Sequence, residues 1–325
     1  MGCIRRLNIF DKGQLKKIAG LSSLNSDYFK YNILKECASF TQELLPLNFK
    51  FIPESYVLIE ENKIKGMISV TTTHGNHEQI NITRLLFENN DYETGKELIN
   101  FIIRHYGELG AKTFKVIIDN THKDLEHLFL QGCGFRCCSY ENLWDISHDL
   151  ERFKKVDPIK FTTVTDGHAQ MLSELTNGEL VNYYRPTLEQ SPNEFKEPLL
   201  KIFNNKTENN YVLIRDNNAI AHLIIQSNDN DNFIISLTKN NGYQLDYDSI
   251  VAFALNRIKA HRSRGFKAFL KQKKYLKFAQ EFEVYLHAQK YNCIQTQHVL
   301  VKEFYKPIKQ EYKVFAFGEN KLFSN

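Results

Sequence analysis

The sequence predicts an α/β protein built from two copies of one mixed unit. Three observations predict this class. Short apolar segments with the composition of strands alternate with longer segments of helical periodicity. Apolar and glycine positions of the first half recur in the second half in the same order. The length of 325 residues is about that of two domains at roughly 150 residues each.

The internal repeat has a nearly constant offset. Tyr56 to Ile59 return as Tyr211 to Ile214, 155 positions later, with the same four residues. The other matches lie at offsets of 154 to 156 and keep the same order: Ile18 and Leu21 with Leu172 and Leu175, Gly110 with Gly265, Lys112 with Lys267, Phe114 with Phe269, Phe135 with Tyr291, and Cys137 with Cys293. Chance matching of apolar patterns is the alternative explanation, and it does not favour a single register.

The first half is predicted to begin with a strand and helices and to continue with a hairpin. Polar residues Glu60 to Lys63 divide two β-rich segments, which is a hairpin signal. A third strand and two helix–strand pairs follow. Predicted strands cover 4–9, 55–59, 65–70, 80–87, 114–118 and 135–146, and predicted helices follow Asp11 and cover 29–45, 95–106 and 125–130.

The second half repeats this order. Asp216 to Asn218 form the turn of its hairpin. Predicted strands cover 159–164, 211–214, 220–225, 233–237, 266–270 and 293–301, and predicted helices run through Met171 and Leu175 and over 249–260 and 275–289. The charged segment from Asp149 to Pro158 is the predicted junction. We therefore predict domains at 1–150 and 155–310, followed by a tail at 311–325.

Composition excludes several classes of protein. The net charge of +4 and the pI of about 8.5 are too small to indicate a polyanion-binding protein. With 42% hydrophobic residues the chain has enough apolar material for real cores, so global disorder is excluded. The longest apolar run is Ile250 to Leu255, far short of the roughly 20 residues of a membrane helix. No apolar stretch follows Arg5 and Arg6, so no secretory signal is predicted and a cytoplasmic location is expected.

The cysteines do not predict a metal site. Cys133, Cys137 and Cys138 lie close together, with His122 and His127 upstream. Zinc needs four converging ligands, and adjacent residues of a strand point to opposite faces, so Cys137 and Cys138 cannot easily share one ion. Reduced thiols of a cytosolic protein are the expected state.

The predicted element order resembles that of the GNAT acyltransferase superfamily. In the first half, Leu85 to Phe87 look like the strand before that family's acyl-CoA loop, and Gly95 to Leu98 look like the end of the loop entering its helix. Asn120, the helix 125–130 and Gly134-Phe135 look like the family's C-terminal signature. In the second half the similar segments are Arg185-Pro186, Pro192 to Phe195 and Gln297 to Lys302.

The resemblance implies two tandem GNAT-like domains that bind acetyl-CoA as co-substrate. In such a site, backbone N–H groups at a helix start cradle the pyrophosphate. The residues implied to line it are Leu85, Leu86, Phe87, Tyr92, Glu93, Thr94, Gly95, Lys96 and Asn120. The sequence departs from the family pattern at the loop, because Gly95 is its only glycine and Asp91 and Glu93 add negative charge. In the second half, Asp246 and Asp248 stand at the corresponding helix start.

The resemblance also implies direct attack of an amine on the thioester. A base is needed because an amine is mostly protonated at neutral pH. Glu78 lies near the position of that base, although a solvated turn is the alternative interpretation. A tyrosine that protonates the leaving thiolate would stand at 130, where this chain has Leu130. Tyr285 lies in the analogous helix of the second half, and core packing is the alternative role for it.

Two classes of function stay open beside an N-acyltransferase that acts on a small-molecule or protein amine. The degenerate loops favour a catalytically inactive scaffold that binds a protein or small ligand. A basic stretch with interleaved aromatics favours an RNA-associated module: Lys267, Lys271, Lys273, Lys274 and Lys277. Because strand and helix periodicity places most of those aromatics in the core, we expect a solvated basic face and no nucleic-acid partner. The sequence specifies neither the acceptor, nor the acyl group, nor the oligomeric state.

Overall fold

The computed structural model describes most of the chain. The described residues are 2–11, 13–15, 18, 54–73, 76–88, 91–196, 207–227, 230–262 and 265–304. The predicted helix at 29–45, the predicted tail at 311–325 and Asn90 of the predicted acyl-CoA loop lie outside them.

The first half contains six of the described strands. They are β1 (Cys3–Arg6), β2 (Glu54–Glu60), β3 (Lys63–Thr73), β4 (Asn76–Phe87), β5 (Thr113–Asp119) and β6 (Arg136–Asp145). Between them lie α1 (Tyr92–Glu108) and the short α2 (Lys123–His127), which runs on into a π-helical turn at Leu128–Gly132. Among the described residues of this half, the predicted order of strands and helices is confirmed.

The second half repeats that order. Its strands are β7 (Thr162–Thr163), β8 (Thr207–Arg215), β9 (Asn218–Ser227), β10 (Asn232–Lys239), β11 (Lys267–Lys273) and β12 (Asn292–Glu303). Its α-helices are α3 (Ala169–Glu179), α4 (Arg185–Leu188), α5 (Tyr247–His261) and α6 (Ala279–Ala288).

The helix predicted from Tyr275 begins four residues later, at Ala279. The intervening turn is held by contacts that a helix could not make. The Tyr275 carbonyl accepts a hydrogen bond from the Val181 N–H at 3.1 Å, and Leu276 pairs with Leu180 in an isolated bridge. Tertiary pairing therefore overrides the apolar helical pattern of the sequence here.

Both predicted hairpins are present and use the same turn geometry. Glu61 and Asn62 have φ values of 48° and 61°, and Asp216 and Asn217 have values of 51° and 58°. Two successive residues in the left-handed region match the twist of the flanking strands, and Asn and Asp tolerate that region better than most residues. The polar turns thus fix β2 against β3 and β8 against β9.

The closing strands of the two halves are exchanged. The described strands form one sheet in the order β1-β2-β3-β4-β5-β12-β6-β11-β10-β9-β8-β7. The last strand of the second half, β12, lies antiparallel between β5 and β6, and the last strand of the first half, β6, lies antiparallel between β12 and β11. The repeat did not predict this exchange, and the domain limits at 1–150 and 155–310 remain a prediction.

The exchange carries side chains into the opposite core. Leu300 of β12 is fully buried among residues of the first half, with Phe114 of β5 and Ile102 of α1. Trp144 of β6 is buried among residues of the second half and donates its ring N–H to the Gln272 Oε1 at 3.1 Å. Neither core is therefore complete without the other half of the chain.

Within the described part of the chain, no helix is both long enough and apolar enough to cross a membrane.

Because the cores share strands, we predict that the two halves unfold together. Leu300→Ala removes a side chain that is 0% exposed and should lower the free energy of unfolding by about 2–5 kcal/mol. Urea unfolding followed by fluorescence of Trp144, the only tryptophan, reports on the second core. The midpoint of that signal should fall although the substitution lies in the first core.

The matched control is Ile294→Ala on the same strand, where the side chain is 53% exposed and the expected change is below about 1 kcal/mol. An unchanged Trp144 midpoint in Leu300→Ala, with a separate earlier transition seen by circular dichroism, would show that the halves unfold independently.

Candidate functional site

Each half contains a slot where two neighbouring parallel strands separate. In the first half, β4 pairs with β5 only from Gln79↔Thr113 to Ile82↔Val116. β4 continues to Phe87 and β5 to Asp119. Since β5 pairs with β12 on its other side, the separation leaves backbone groups of β4 and β5 facing an open wedge. This wedge points toward the start of α1.

The start of α1 already holds a carboxylate of the chain. Asp91 is the N-cap, and its two carboxylate oxygens accept hydrogen bonds from Thr94, from the backbone N–H at 3.3 Å and from the hydroxyl at 2.8 Å. A helix start favours negative charge. In this half the charge is supplied by Asp91, so a bound phosphate would have to share or displace it.

Gly95 allows α1 to pack closely against the end of β4. A Cβ at this position would lie 2.7 Å from the Phe87 ring and 2.9 Å from Leu128 Cδ2. Phe87 is fully buried and Leu128 is 5% exposed, so neither side chain is free to withdraw. In this structure the glycine is required for contact between helix, strand and the turn after α2. The base of the slot is filled by these apolar side chains.

The other predicted cofactor-binding residues fall into two groups. Leu85 and Leu86 are buried on opposite faces of β4, in separate clusters. Tyr92 packs edge-on against Phe87, with ring centroids 5.7 Å apart. Glu93 is 87% exposed and pairs loosely with Lys96 at 3.9 Å, so both charges point outward.

Asn120 lies at the end of β5, on the mouth of the slot. Its backbone N–H donates to the Thr296 carbonyl of β12 at 2.9 Å, and its side chain makes no hydrogen bond to the described part of the chain. The amide side chain is therefore available to a ligand in the wedge. Leu130 is partly buried against the first core, as expected from its apolar side chain.

Glu78 lies at the opposite end of β4 from the slot. Its carboxylate accepts a hydrogen bond from the Lys112 ammonium group at 2.6 Å, and both side chains are about half exposed. The first strand pair, Gln79↔Thr113, follows directly, whereas the strands separate only after Ile82. The structure therefore places Phe87, Gly95 and Asn120 around the first slot. Of the other predicted residues, Leu86 lies on the opposite face of β4, Glu93 and Lys96 point outward, and Glu78 is at the far end of the strand.

The second half has the same slot. β10 pairs with β11 only as far as Ser236↔Lys271, and it continues to Lys239. The N-cap of α5 is Asp246, which accepts hydrogen bonds from the N–H groups of Asp248 and Ser249 at 3.1 and 3.2 Å. Both copies thus place their own carboxylate at the helix start.

A buried lysine fills the second slot. Lys239 ends β10 as Phe87 ends β4, and its side chain is only 1% exposed. Its ammonium group donates to Glu281 at 2.9 Å and to the Tyr243 carbonyl at 3.2 Å. It also lies 5.7 Å from the ring centroids of Tyr247 and Phe278. The sequence did not predict a role for Lys239, whose only signal is a lysine directly after an apolar strand.

Tyr285 lies beside the start of α5. Its hydroxyl donates to Asp248 at 2.7 Å, and Arg152 contacts the other oxygen of the same carboxylate. Burial and the bond to Asp248 raise the pKa of Tyr285, so the hydroxyl keeps its proton. The ring also packs on Tyr247, with centroids 4.9 Å apart. The same residue thus contributes to packing and holds a proton near the second slot.

The described cysteines are free thiols, and the described residues contain no group of three or more His, Cys, Asp or Glu that could hold a metal ion.

The lysines of the predicted basic face bind three different partners and do not form one surface. Lys271 binds Glu141 at 2.8 Å, Lys274 binds Glu283 at 2.6 Å, and Lys277 donates to the Gly178 carbonyl at 2.5 Å.

Three solved structures resemble most of the chain. A tandem GNAT protein from the clavulanic acid biosynthesis pathway has a TM-score of 0.60 and 9% identity over 93% of this chain and 98% of that chain. A Drosophila protein has a TM-score of 0.54 and 11% identity over 93% and 98%. A GCN5-related N-acetyltransferase from Sphaerobacter thermophilus has a TM-score of 0.52 and 12% identity over 93% and 95%.

These structures confirm the fold class predicted from the sequence, since the chain has the fold of a tandem GNAT protein. Identities of 9–12% support the fold and not a particular reaction. No family model matches the chain, and no curated protein matches it.

The packing around Gly95 predicts a specific loss of stability. Gly95→Ala forces the Phe87 ring or Leu128 to move and should lower the free energy of unfolding by about 1–3 kcal/mol. The matched control is Gly107→Ala on the same helix, where a Cβ would meet nothing within 4 Å. Alanine favours a helix over glycine by up to about 1 kcal/mol, so that variant should be neutral or more stable. Urea unfolding measures both, and equal stability of the two variants would contradict the packing role.

Proposed function

We propose that the protein is an N-acyltransferase that moves an acyl group, in the first place acetyl, from an acyl-CoA to an amine. The observation that carries the proposal is the wedge between β4 and β5 beyond Ile82, in a chain with the tandem GNAT fold. Unpaired strand backbone offers hydrogen-bond partners to an extended, amide-containing chain such as pantetheine. The start of α1, directly beyond the wedge, suits the pyrophosphate.

We assign acyl-CoA to the slot of the first half. Asn120 stands at its mouth with a side-chain amide that can bond to the pantetheine arm. The second slot is less suited, because Lys239 and Glu281 occupy it as an ion pair. Breaking that pair would leave a buried charge without its partner, which is costly.

In this proposal the acceptor is a small-molecule or protein amine. It attacks the thioester carbonyl, and the thiolate of CoA leaves. Glu78 is the candidate base that removes the proton of the amine, and Tyr285 is the candidate acid that protonates the thiolate. In this structure Glu78 lies at the other end of β4 and Tyr285 lies beside the second slot, so neither side chain contacts the first slot.

The assignment to the first slot is tested by removing one charge. Asparagine is as good an N-cap as aspartate, so Asp91→Asn keeps the helix start and removes the repulsion of a phosphate. Isothermal titration calorimetry should show acetyl-CoA binding to the wild type, and about fivefold or tighter binding to Asp91→Asn. Asp246→Asn is the matched control in the second half and should leave the affinity unchanged.

Tighter binding in Asp246→Asn alone would move the acyl-CoA site to the second half. Absence of acetyl-CoA binding in the folded wild type and in both variants would sink the proposal.

The roles of the two candidate catalytic groups are tested by turnover with an amine panel. Glu78→Gln should lower kcat by about 10²-fold or more, as expected for loss of a general base. Lys112→Gln breaks the same ion pair but keeps the carboxylate, so it should retain most of the activity. Tyr285→Phe should lower kcat with little change in KM. Equal losses in Glu78→Gln and Lys112→Gln would indicate a structural role for the pair.

A specific observation favours a second candidate function. Both helix starts hold their own carboxylates, Asp91 and Asp246, and both slots are filled by side chains from the end of a strand, Phe87 and Lys239. This arrangement suits a scaffold that has kept the fold and binds a protein or small ligand elsewhere. Thioester turnover above background with any amine would count against it.

A further inference from the structure

A polar crevice lies at the centre of the sheet, on the face opposite α1, α5 and α6. Successive residues of a strand point to opposite faces. Ala268 and Leu270 of β11 pack with α5 in the second core, so Lys271 and Lys273 point to the other face. Glu141 lies opposite Lys273 on the neighbouring β6. Together with Lys115 of β5, these residues define what we call the central crevice.

One acidic group in the central crevice is fully partnered. Glu141 is 3% exposed, and it accepts hydrogen bonds from the Lys271 ammonium group at 2.8 Å and from the Tyr275 hydroxyl at 2.6 Å. Although burial opposes its ionisation, Lys271, Lys273 and Tyr275 lower the pKa of Glu141 to about 2. Glu141 is therefore a carboxylate that already has a lysine and a hydroxyl donor of its own.

Two further lysines have no such partner. The ammonium groups of Lys115 and Lys273 form no hydrogen bond and no ion pair within the described part of the chain. Both side chains are half-buried. Burial lowers the pKa of each, and Lys115 and Lys271 lower that of Lys273 further. Two ammonium groups on this face therefore have no hydrogen-bonded carboxylate, and each lies where burial makes a charge unfavourable.

The positive charge in the central crevice is not balanced. Besides Glu141, the nearest carboxylate to act on Lys115 is that of Glu194, whose pKa is raised by burial. Glu194 already accepts hydrogen bonds from the Ser191 N–H and the Gln190 side chain, at 2.9 and 3.0 Å. Lys115, Lys271 and Lys273 therefore face two carboxylates, those of Glu141 and Glu194. The raised pKa of Glu194 makes its anion less favourable.

Four buried polar atoms without a partner in the described residues lie on the same face. They are Asn81 Oδ1, Ser139 Oγ, His222 Nε2 and Gln297 Oε1. Asn81 is paired with Lys115, and Gln297 is paired with Glu141. His222 is 4% exposed, and Lys273 acts on its charge. Because buried polar groups normally have partners, these four atoms are available to hydrogen-bond a polar ligand or water.

The crevice is built from both halves of the chain and is closed at one end by α4. Thr187 of α4 accepts hydrogen bonds from Gln79 of β4 and Arg136 of β6, at 3.1 and 3.2 Å. Its hydroxyl donates to Glu303 of β12 at 2.5 Å. These contacts hold α4 across the strands of the first half.

We propose that the central crevice binds a small organic anion between the ammonium groups of Lys115 and Lys273. A carboxylate accepts charge-assisted hydrogen bonds from both lysines and balances their charge, as Glu141 does for Lys271. The free amide oxygens of Asn81 and Gln297 are acceptors, and a hydroxyl group on the ligand donates a hydrogen bond to one of them. The ligand class is thus a small hydroxy-carboxylate. The site is independent of the proposed acyltransferase activity.

The test is isothermal titration calorimetry of the full chain at low ionic strength with L-malate and with succinate, which differ by one hydroxyl group. The wild type should bind both, and malate more tightly. Lys115→Met and Lys273→Met should each weaken malate binding about tenfold or more, because each removes a charged hydrogen bond. The matched control is Lys267→Met, an exposed lysine on the same strand as Lys273, which should bind malate like the wild type.

Thermal unfolding without ligand separates loss of binding from loss of fold. Replacing a buried, unpaired charge by methionine should leave the melting temperature of Lys115→Met and Lys273→Met unchanged or higher. Acetyl-CoA binding, measured on the same variants, should match the wild type, since the slots belong to the other face of the sheet. A failure of acetyl-CoA binding in every protein would therefore concern the acyltransferase proposal alone.

Three results overturn the inference or part of it. If the folded wild type binds neither anion, or if both methionine variants bind malate as the wild type does, no anion site exists in the central crevice. Equal affinities for malate and succinate overturn the hydroxyl requirement.

Discussion

The antiparallel pairing of β6 with β12 is the contact on which the rest of the molecule depends. Each strand is the last of its own half and is held on its other side by a strand of the opposite half, β11 or β5. The first core needs Leu300 and the second core needs Trp144. Because each core is closed by a strand from the other half, the two copies form one sheet and are expected to unfold together.

The exchange leaves the two slots free of the closing strands. In each half a parallel neighbour pairs for four or five residues and then separates, after Ile82 in β4 and after Ser236 in β10. The two halves differ in the residue that ends the separating strand, β4 or β10. Phe87 fills the base of the first slot with apolar packing that only Gly95 permits, whereas Lys239 fills the second slot with an ion pair to Glu281. Both halves have an open wedge, but the side chains that fill it differ between them.

The same exchange also creates a region that belongs to neither half. Lys115 reaches it from β5, Glu141 from β6 and Lys273 from β11, so no single copy contains the set. Buried charge is unfavourable unless it is paired, and only Glu141 with Lys271 is fully paired here. A site at this position could arise only after the unit was duplicated, since it needs strands from both copies side by side.

The sequence by itself determined the class of the fold and the order of its elements. Alternating apolar residues and the polar turns at Glu61 and Asp216 depend on neighbours a few residues apart, which a sequence displays directly. The repeat from Tyr56 to Tyr211 is a match of the sequence with itself, and it needs no structure to be seen. Gly95, Phe87 and Asn120 were implied by the resemblance of their segments to the GNAT superfamily, and the structure places them around one slot. The tertiary structure alone decided which half each closing strand joins, because β5 accepts either partner by pattern. It also decided that Lys239 is buried and that Lys115 and Lys273 are on the same face of one sheet, since these arrangements join residues that are distant in the chain and leave no periodic trace in it.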